Sequence, residues 1–161
     1  MIVALLIAIA VAVVVAAPVA SGVPAVLSAK RHTFSATYAG HGHGQVRGTT
    51  ASGSAALRGR SKLIGPSTLR GSASGVFVSR TCVVFSGRAV LKGKAGSITL
   101  TARGARACAG ADANIVSFAG SAKVAGGTGR FKGAHGTLSL HGTYIRNSGA
   151  VSISLRGRIS Y

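Results

Sequence analysis

From residue 30 onward, apolar and polar side chains alternate in short runs that glycines separate. The clearest run is VSISLRGRIS at residues 151–160, where the hydrophobic residues take one phase and serine and arginine take the other. A β-strand sends successive side chains to opposite faces, so this run would be apolar on one face and basic on the other. No stretch beyond residue 30 has helical periodicity. The pattern therefore predicts an all-β domain.

The alternation predicts about eight strands if the second segment continues the first, at residues 32–40, 44–50, 54–64, 67–79, 82–92, 96–103, 114–125, 136–146 and 149–160. Each strand has one apolar face and no helix to cover it, which leaves a sandwich or a closed antiparallel barrel. The 24 glycines favour a barrel, because its strands bend sharply at corners and bulges. Arg-Gly pairs at 47–48, 58–59 and 70–71 also fit a β-solenoid, but the spacing does not persist.

Residues 2–20 carry no charge and are almost entirely aliphatic. They predict the hydrophobic signal helix of an exported protein, so we divide the chain into a signal peptide at residues 1–25 and a barrel domain at residues 26–161. A retained membrane anchor is the alternative. No basic residue precedes the segment, Lys30 and Arg31 follow it, and its length approaches the ~20 residues that span a bilayer.

The chain has 19 lysines and arginines but only one acidic residue, Asp112, and its formal net charge is +18 at pH 7. The bases repeatedly take the polar phase of the strands, which predicts a cationic outer surface with charge spread around the barrel. Such a surface attracts polyanions. The candidate contact residues are Arg58, Arg60, Lys62, Arg88, Lys92, Lys123, Arg156 and Arg158. A generic cationic surface that aids solubility is an equally good interpretation, and sequence-specific nucleic-acid binding is not expected.

Two cysteines, Cys82 and Cys108, predict a disulfide if the chain is exported. A metal site made by the pair is less favoured, because thiolate sites usually include more ligands at short spacing. His41 and His43 flank Gly42 and could hold a metal with a third histidine such as His135. A solvated, glycine-rich turn is the preferred interpretation, so no metal and no cofactor is expected.

The densest motif is GGTGRFKGAHG at residues 126–136. It lacks the Gly-Lys-Ser/Thr ending of a phosphate-binding loop and opens no helix, so nucleotide binding is not expected. The motif instead predicts a tight connection between strands, in which glycines adopt backbone angles closed to other residues and one aromatic side chain plugs the core. The residues concerned are Gly126, Gly127, Thr128, Gly129, Phe131, Gly133 and Gly136.

With its flanking strands, the same motif resembles a hallmark of the allene oxide cyclase and dirigent-type β-barrels, and of small secreted bacterial proteins, often actinobacterial. The match covers about residues 116–145. The resemblance implies an eight-stranded barrel, often oligomeric, with an apolar cavity. It transfers no catalytic residue, since no position here matches one. A chain with one acid also has no pair of carboxylates for glycoside hydrolysis, and an enzyme is not expected. Were it one, a cyclase-, isomerase- or dirigent-like activity would fit the resemblance.

The sequence therefore favours a secreted or cell-envelope-associated, non-catalytic barrel that binds anionic wall or extracellular polymers non-specifically. The alternative is a barrel that binds a small hydrophobic ligand in its interior. Membrane contact is expected only through residues 2–20, if they are retained.

Overall fold

Eight strands follow one another along the chain, and each pairs with its sequence neighbours in antiparallel register. The structure is a computed structural model that describes residues 29–161. The strands are β1 (Arg31–Arg47), β2 (Thr50–Ser61), β3 (Gly65–Phe77), β4 (Cys82–Gly93), β5 (Gly96–Ala109), β6 (Ile115–Gly127), β7 (His135–Ile145) and β8 (Ala150–Ser160). Because β1 also pairs with β8, the sheet closes into a barrel.

The predicted all-β class and the eight-stranded antiparallel barrel are confirmed. The predicted signal helix at residues 1–25 lies outside the described residues. Between residues 29 and 161 the only helix is a 3₁₀ turn at Gly129–Phe131, and no helix there could cross a membrane.

The first two predicted segments form the single strand β1, the outcome expected if the second continues the first, and its register with β2 is continuous from Ala36 to Arg47. The predicted end of β5 differs from the structure. Strand β5 continues to Ala109, whereas the alternation predicts its end at 103. An irregularity at Gly104 (φ +66°) shifts the register, and pairing with β6 resumes at Arg106. The alternation is interrupted there, which is why it hid the second half of the strand.

The two ends of the barrel differ. The end formed by the connections at residues 62–64, 94–95 and 128–134 is filled by side chains, and we call it the closed end. Its packing centres on Phe34, Tyr38, Phe131 and Ile159, all at most 1% exposed. The opposite end, formed by the connections at 48–49, 78–81, 110–114 and 146–149, is open, and we call it the mouth.

Candidate functional site

A cavity of about 510 Å³ occupies the half of the barrel next to the mouth. Its floor is formed by four buried leucines from strands β3, β5, β7 and β8, namely Leu69, Leu100, Leu140 and Leu155. Below these leucines the interior is packed solid with the side chains of the closed end. The cavity volume lies within the range of about 300–1,000 Å³ that small-molecule sites occupy.

Small side chains at inward-facing positions create this space. The walls are lined by Gly53, Ala55, Gly71, Ala73, Gly87, Ala89, Ala102, Ala107 and Ala122. The inward positions of the same strands carry leucine or isoleucine near the closed end, as in Leu57, Leu69, Leu91 and Ile98. The barrel is therefore filled at the closed end, and it is hollow beyond the leucines because glycine and alanine take the inward positions there.

Aromatic rings surround the upper part of the cavity. Phe85 and Phe118 meet edge to face with their ring centroids 6.4 Å apart, and Phe77 and Tyr144 complete the lining. Polar residues form a minority of the lining. At the mouth they include Tyr144, Thr81 and Arg146, and the remainder are His43, Gln45, Ser52, Ser54, Ser72, Ser74 and Arg88. This arrangement of an apolar interior with a few polar groups at the opening suits a hydrophobic molecule that carries a polar end.

The glycine motif lies at the closed end, away from the cavity. Gly129 (φ +58°) and Gly133 (φ +75°) adopt the left-handed conformation that disfavours other residues, which places Phe131 in the barrel end with 0% exposure. Thr128 ties the connection to β5, because its Oγ1 lies 2.7 Å from Ser97 Oγ and its N–H donates to the Ser97 carbonyl. Phe131 is thus buried at the closed end, and none of the motif residues lines the cavity.

The predicted disulfide is present between Cys82 and Cys108. The two residues lie directly opposite each other on β4 and β5 beside the mouth. The same corner is held by a backbone hydrogen bond of 2.9 Å from the Ala109 N–H to the Thr81 carbonyl. The disulfide and this hydrogen bond together fix one side of the opening.

All 19 lysines and arginines are exposed, and every strand except β7 carries at least one. Seven of the eight predicted contact residues lie on the outer face of strands β2, β4, β6 and β8, and Lys62 lies in the connection after β2. The structure therefore spreads these residues around the barrel and does not gather them in one groove.

Neutral residues separate the bases in the strand register. Within residues 31–160 no register pair joins two bases. The register thus avoids like charges directly opposite each other, which would be destabilising. Around one half of the barrel, bases and threonines alternate from strand to strand, in the order Arg88, Thr101, Lys123, Thr137 and Arg158. This spacing lets the barrel tolerate its charge without acidic partners.

The histidines and the single acid do not assemble a site. His41 pairs with Ala150 towards the mouth, whereas His135 pairs with Ser160 at the closed end. In the described part of the chain, no group of three or more His, Cys, Asp or Glu side chains is placed to hold a metal. Asp112 is exposed in the β5–β6 connection, where its Oδ1 accepts a 2.8 Å hydrogen bond from the Asn114 N–H.

Sequence reasoning identified the barrel but named no cavity residue. The sequence does contain a sign of the cavity: the inward-facing positions of the middle strands carry very small residues. They are Gly71, Ala73 and Gly75 in β3 and Gly87 and Ala89 in β4. Summing side-chain volume along each inward phase, and not only its hydrophobicity, would have located the hollow half.

Comparison with other proteins adds no family to this description. No protein-family model, curated protein or solved structure matches the chain.

Proposed function

We propose that this protein is a non-catalytic binding protein that holds a small apolar molecule inside the mouth half of the barrel. The observation that carries the proposal is the 510 Å³ cavity, with its leucine floor and aromatic upper lining. The space is a consequence of glycine and alanine at inward positions, where larger aliphatic residues would have filled the core.

The apolar lining defines the ligand class. Most of the surface that lines the cavity is apolar, so a molecule inside gains by removing apolar surface from water. The opening bears Tyr144, Thr81 and Arg146, so a hydroxyl or an anionic group at one end of the ligand would meet them. The only acid of the chain, Asp112, is exposed in a connection, which favours binding over acid–base catalysis.

A neutral fluorophore tests the proposal on the full chain. N-phenyl-1-naphthylamine brightens in apolar surroundings and has no charge to attract it to the outer bases. Ala73→Phe, which fills the cavity wall, should strongly weaken its binding. Ala56→Phe is the matched control, because Ala56 is exposed on the same sheet opposite Arg70. Equal binding by the two variants, or no brightening with the unsubstituted protein, would contradict the proposal.

A second function is favoured by the distribution of charge. We propose that the outer wall adheres to anionic polymers of the cell wall or the extracellular space, because all 19 bases are exposed and nearly all strands carry them. The interaction would be non-specific and salt-sensitive, since the bases are separated by neutral residues and form no shaped site. The two functions use different surfaces and do not exclude each other.

Export from the cytoplasm is part of the proposal. The disulfide between Cys82 and Cys108 supports an oxidising compartment, and the uncharged segment 2–20 supports passage through a membrane. A relationship to the allene oxide cyclase and dirigent-type barrels is likewise proposed from the motif at residues 126–136 alone. Sequencing the N-terminus of the protein recovered from culture medium or envelope tests the export, with a start near residue 26 as the expected result. A start at Met1 would favour a retained anchor.

A further inference from the structure

Exposed hydrophobic side chains gather around the mouth of the barrel. In residues 29–161 five large hydrophobic residues are exposed, and four of them surround the opening: Val46 (62%), Val76 (53%), Val78 (49%) and Ile115 (41%). The fifth, Val90, lies on the outer wall of β4 between Arg70 and Thr99. A ring of exposed hydrophobic residues at one end of an otherwise polar wall marks an interaction surface.

The same ring bears arginines next to the hydrophobic residues. Arg47 follows Val46, Arg80 lies two residues after Val78, and Arg146 follows Ile145. All three arginines are exposed in or beside the mouth connections. Asp112 is also exposed in one of these connections, so this end of the barrel carries these three arginines and one carboxylate. We call the residues Val46, Arg47, Val76, Val78, Arg80, Ile115 and Arg146 the mouth rim.

Backbone hydrogen bonds link strand ends and connections at the mouth. Three bonds of 2.9 Å have Phe77, Ala109 and Arg146 as donors and Thr49, Thr81 and Asn114 as acceptors. A fourth, of 2.8 Å, runs from the Gly42 N–H within β1 to the Gly149 carbonyl. The disulfide between Cys82 and Cys108 reinforces the link between β4 and β5. The valines and arginines are thus presented together on a preformed edge, with little ordering left to occur on binding.

We propose that the mouth rim docks onto an anionic lipid bilayer, with the opening of the cavity facing the membrane. Arginine forms bidentate hydrogen bonds with phosphate, and basic residues are attracted to the negative surface of an anionic leaflet. Valine and isoleucine beside them would enter the boundary between headgroups and acyl chains. An apolar molecule could then pass between bilayer and cavity without crossing water, a consequence that rests on the proposed ligand binding. The docking itself does not depend on it.

The direction of docking distinguishes this proposal from adhesion by other parts of the chain. The described chain begins at the closed end, where Arg31 pairs with Ser160, so a membrane anchor at residues 2–20 would attach to that end. Adsorption through the bases of the wall would favour neither end. Only docking through the mouth rim brings Val78 into the membrane while Val90 and the closed end stay in water.

Tryptophan substitution measures the direction in the full chain, which contains no natural tryptophan. Val78→Trp, Val90→Trp and Lys132→Trp place a single indole at the mouth rim, the wall and the closed end. With vesicles of phosphatidylcholine and phosphatidylglycerol in equal parts, only Val78→Trp should shift its emission to the blue and be quenched by brominated acyl chains. Blue shifts at Val90→Trp or Lys132→Trp instead would overturn the proposal. A blue shift of Val78→Trp that needs no vesicles and grows with protein concentration would assign the rim to a second copy and also overturn it.

Two variants of equal net charge separate rim docking from general attraction. Replacing Arg47, Arg80 and Arg146 by glutamine should weaken partition onto these vesicles by roughly 100-fold, since each basic residue close to an anionic surface contributes about fivefold. Replacing Arg88, Lys123 and Arg158 by glutamine should weaken it much less. Equal weakening by the two sets would overturn the proposal. Binding of N-phenyl-1-naphthylamine in the absence of vesicles reports the cavity separately, so failure of one proposal is distinguishable from failure of the other.

Discussion

Tyr38 Oη and Ser67 Oγ lie 2.8 Å apart in a hydrogen bond that joins β1 to β3 across the barrel interior. Tyr38 is 0% exposed and Ser67 is buried beside it. Ser67 Oγ lies 3.3 Å from the Gly65 carbonyl, so the tyrosine hydroxyl can donate to the serine while the serine donates to the backbone. This buried polar chain supports the closed end.

Tyr38→Phe should lower the free energy of unfolding by about 1 kcal/mol at neutral pH, the typical net contribution of one hydrogen bond. It should also change the response to alkali. Burial raises the pKa of Tyr38 above its usual value of 10.0, and the hydrogen bond with Ser67 offsets part of the increase. Above pH 10 the unfolded chain therefore releases a proton that the folded protein retains, and stability falls as the pH rises.

Urea unfolding measured between pH 8 and the alkaline limit of folding checks this prediction. The difference in stability between the unsubstituted protein and Tyr38→Phe should narrow or reverse above about pH 10. A constant difference across that range would contradict a buried, neutral Tyr38. Tyr144→Phe is the control, because Tyr144 is only partly buried at the cavity.

Removal of the disulfide should destabilise the barrel without abolishing its topology. The bond joins residues 26 positions apart, and closing such a loop in the unfolded chain corresponds to about 3.5 kcal/mol in the chain-entropy model. Cys82→Ser with Cys108→Ser should therefore lower the unfolding free energy by an amount of this order. Chemical unfolding with and without reductant measures it, and reductant should have no effect on the double variant. An unchanged midpoint on reduction would show that the bond does not constrain the unfolded state.

Gly59 on β2 lies directly opposite Tyr38 on β1 in the strand register. A Cβ atom at position 59 would overlap the Thr37 carbonyl oxygen and lie 2.7 Å from Tyr38 Cδ1. Gly59→Ala should therefore cost about 1–3 kcal/mol, as overpacking of a core does. Gly110→Ala is the control, because no heavy atom lies within 4 Å of its added Cβ and its φ is not positive. Thermal unfolding of both variants tests the difference, and equal melting temperatures would contradict the predicted clash.

Retention on an anionic resin should depend on the number of bases and not on their position. The glutamine replacements at Arg47, Arg80 and Arg146 and those at Arg88, Lys123 and Arg158 each remove three exposed charges. Both should reduce by a similar amount the salt concentration that elutes the protein, because the charge is spread around the wall. The salt gradient on a sulfated or phosphorylated resin measures this. If one set abolishes retention and the other leaves it unchanged, a localised polyanion site exists and the proposed diffuse adhesion is wrong.

The sequence predicted the outer wall well, because whether a residue faces outward depends only on its position in the alternation of its own strand. Lys123 lies between Ala122 and Val124, and the period of two alone sends it outward while its neighbours enter the core. Val90 lies in the same phase as Arg88 and Lys92 and, although apolar, is exposed (37%). Phe131 was also predictable, because the glycines around it permit a tight turn that returns its ring to the core. The interpretation failed at residues 104–109, where the irregularity at Gly104 interrupts the alternation.

By itself, the sequence determined the all-β class, the number of strands, the outward position of the bases and the cysteine pair, since these follow from alternation and composition along one strand at a time. Only the tertiary structure decided that the barrel is filled at the closed end, where Phe131 lies, and hollow towards the mouth, where Tyr144 lies. The physical reason is that a cavity depends on the summed volume of inward side chains from all eight strands at one level of the barrel. That level is set by the register between strands, which places Ala73 and Ala102 at one level on either side of Gly87 although they are far apart in the chain.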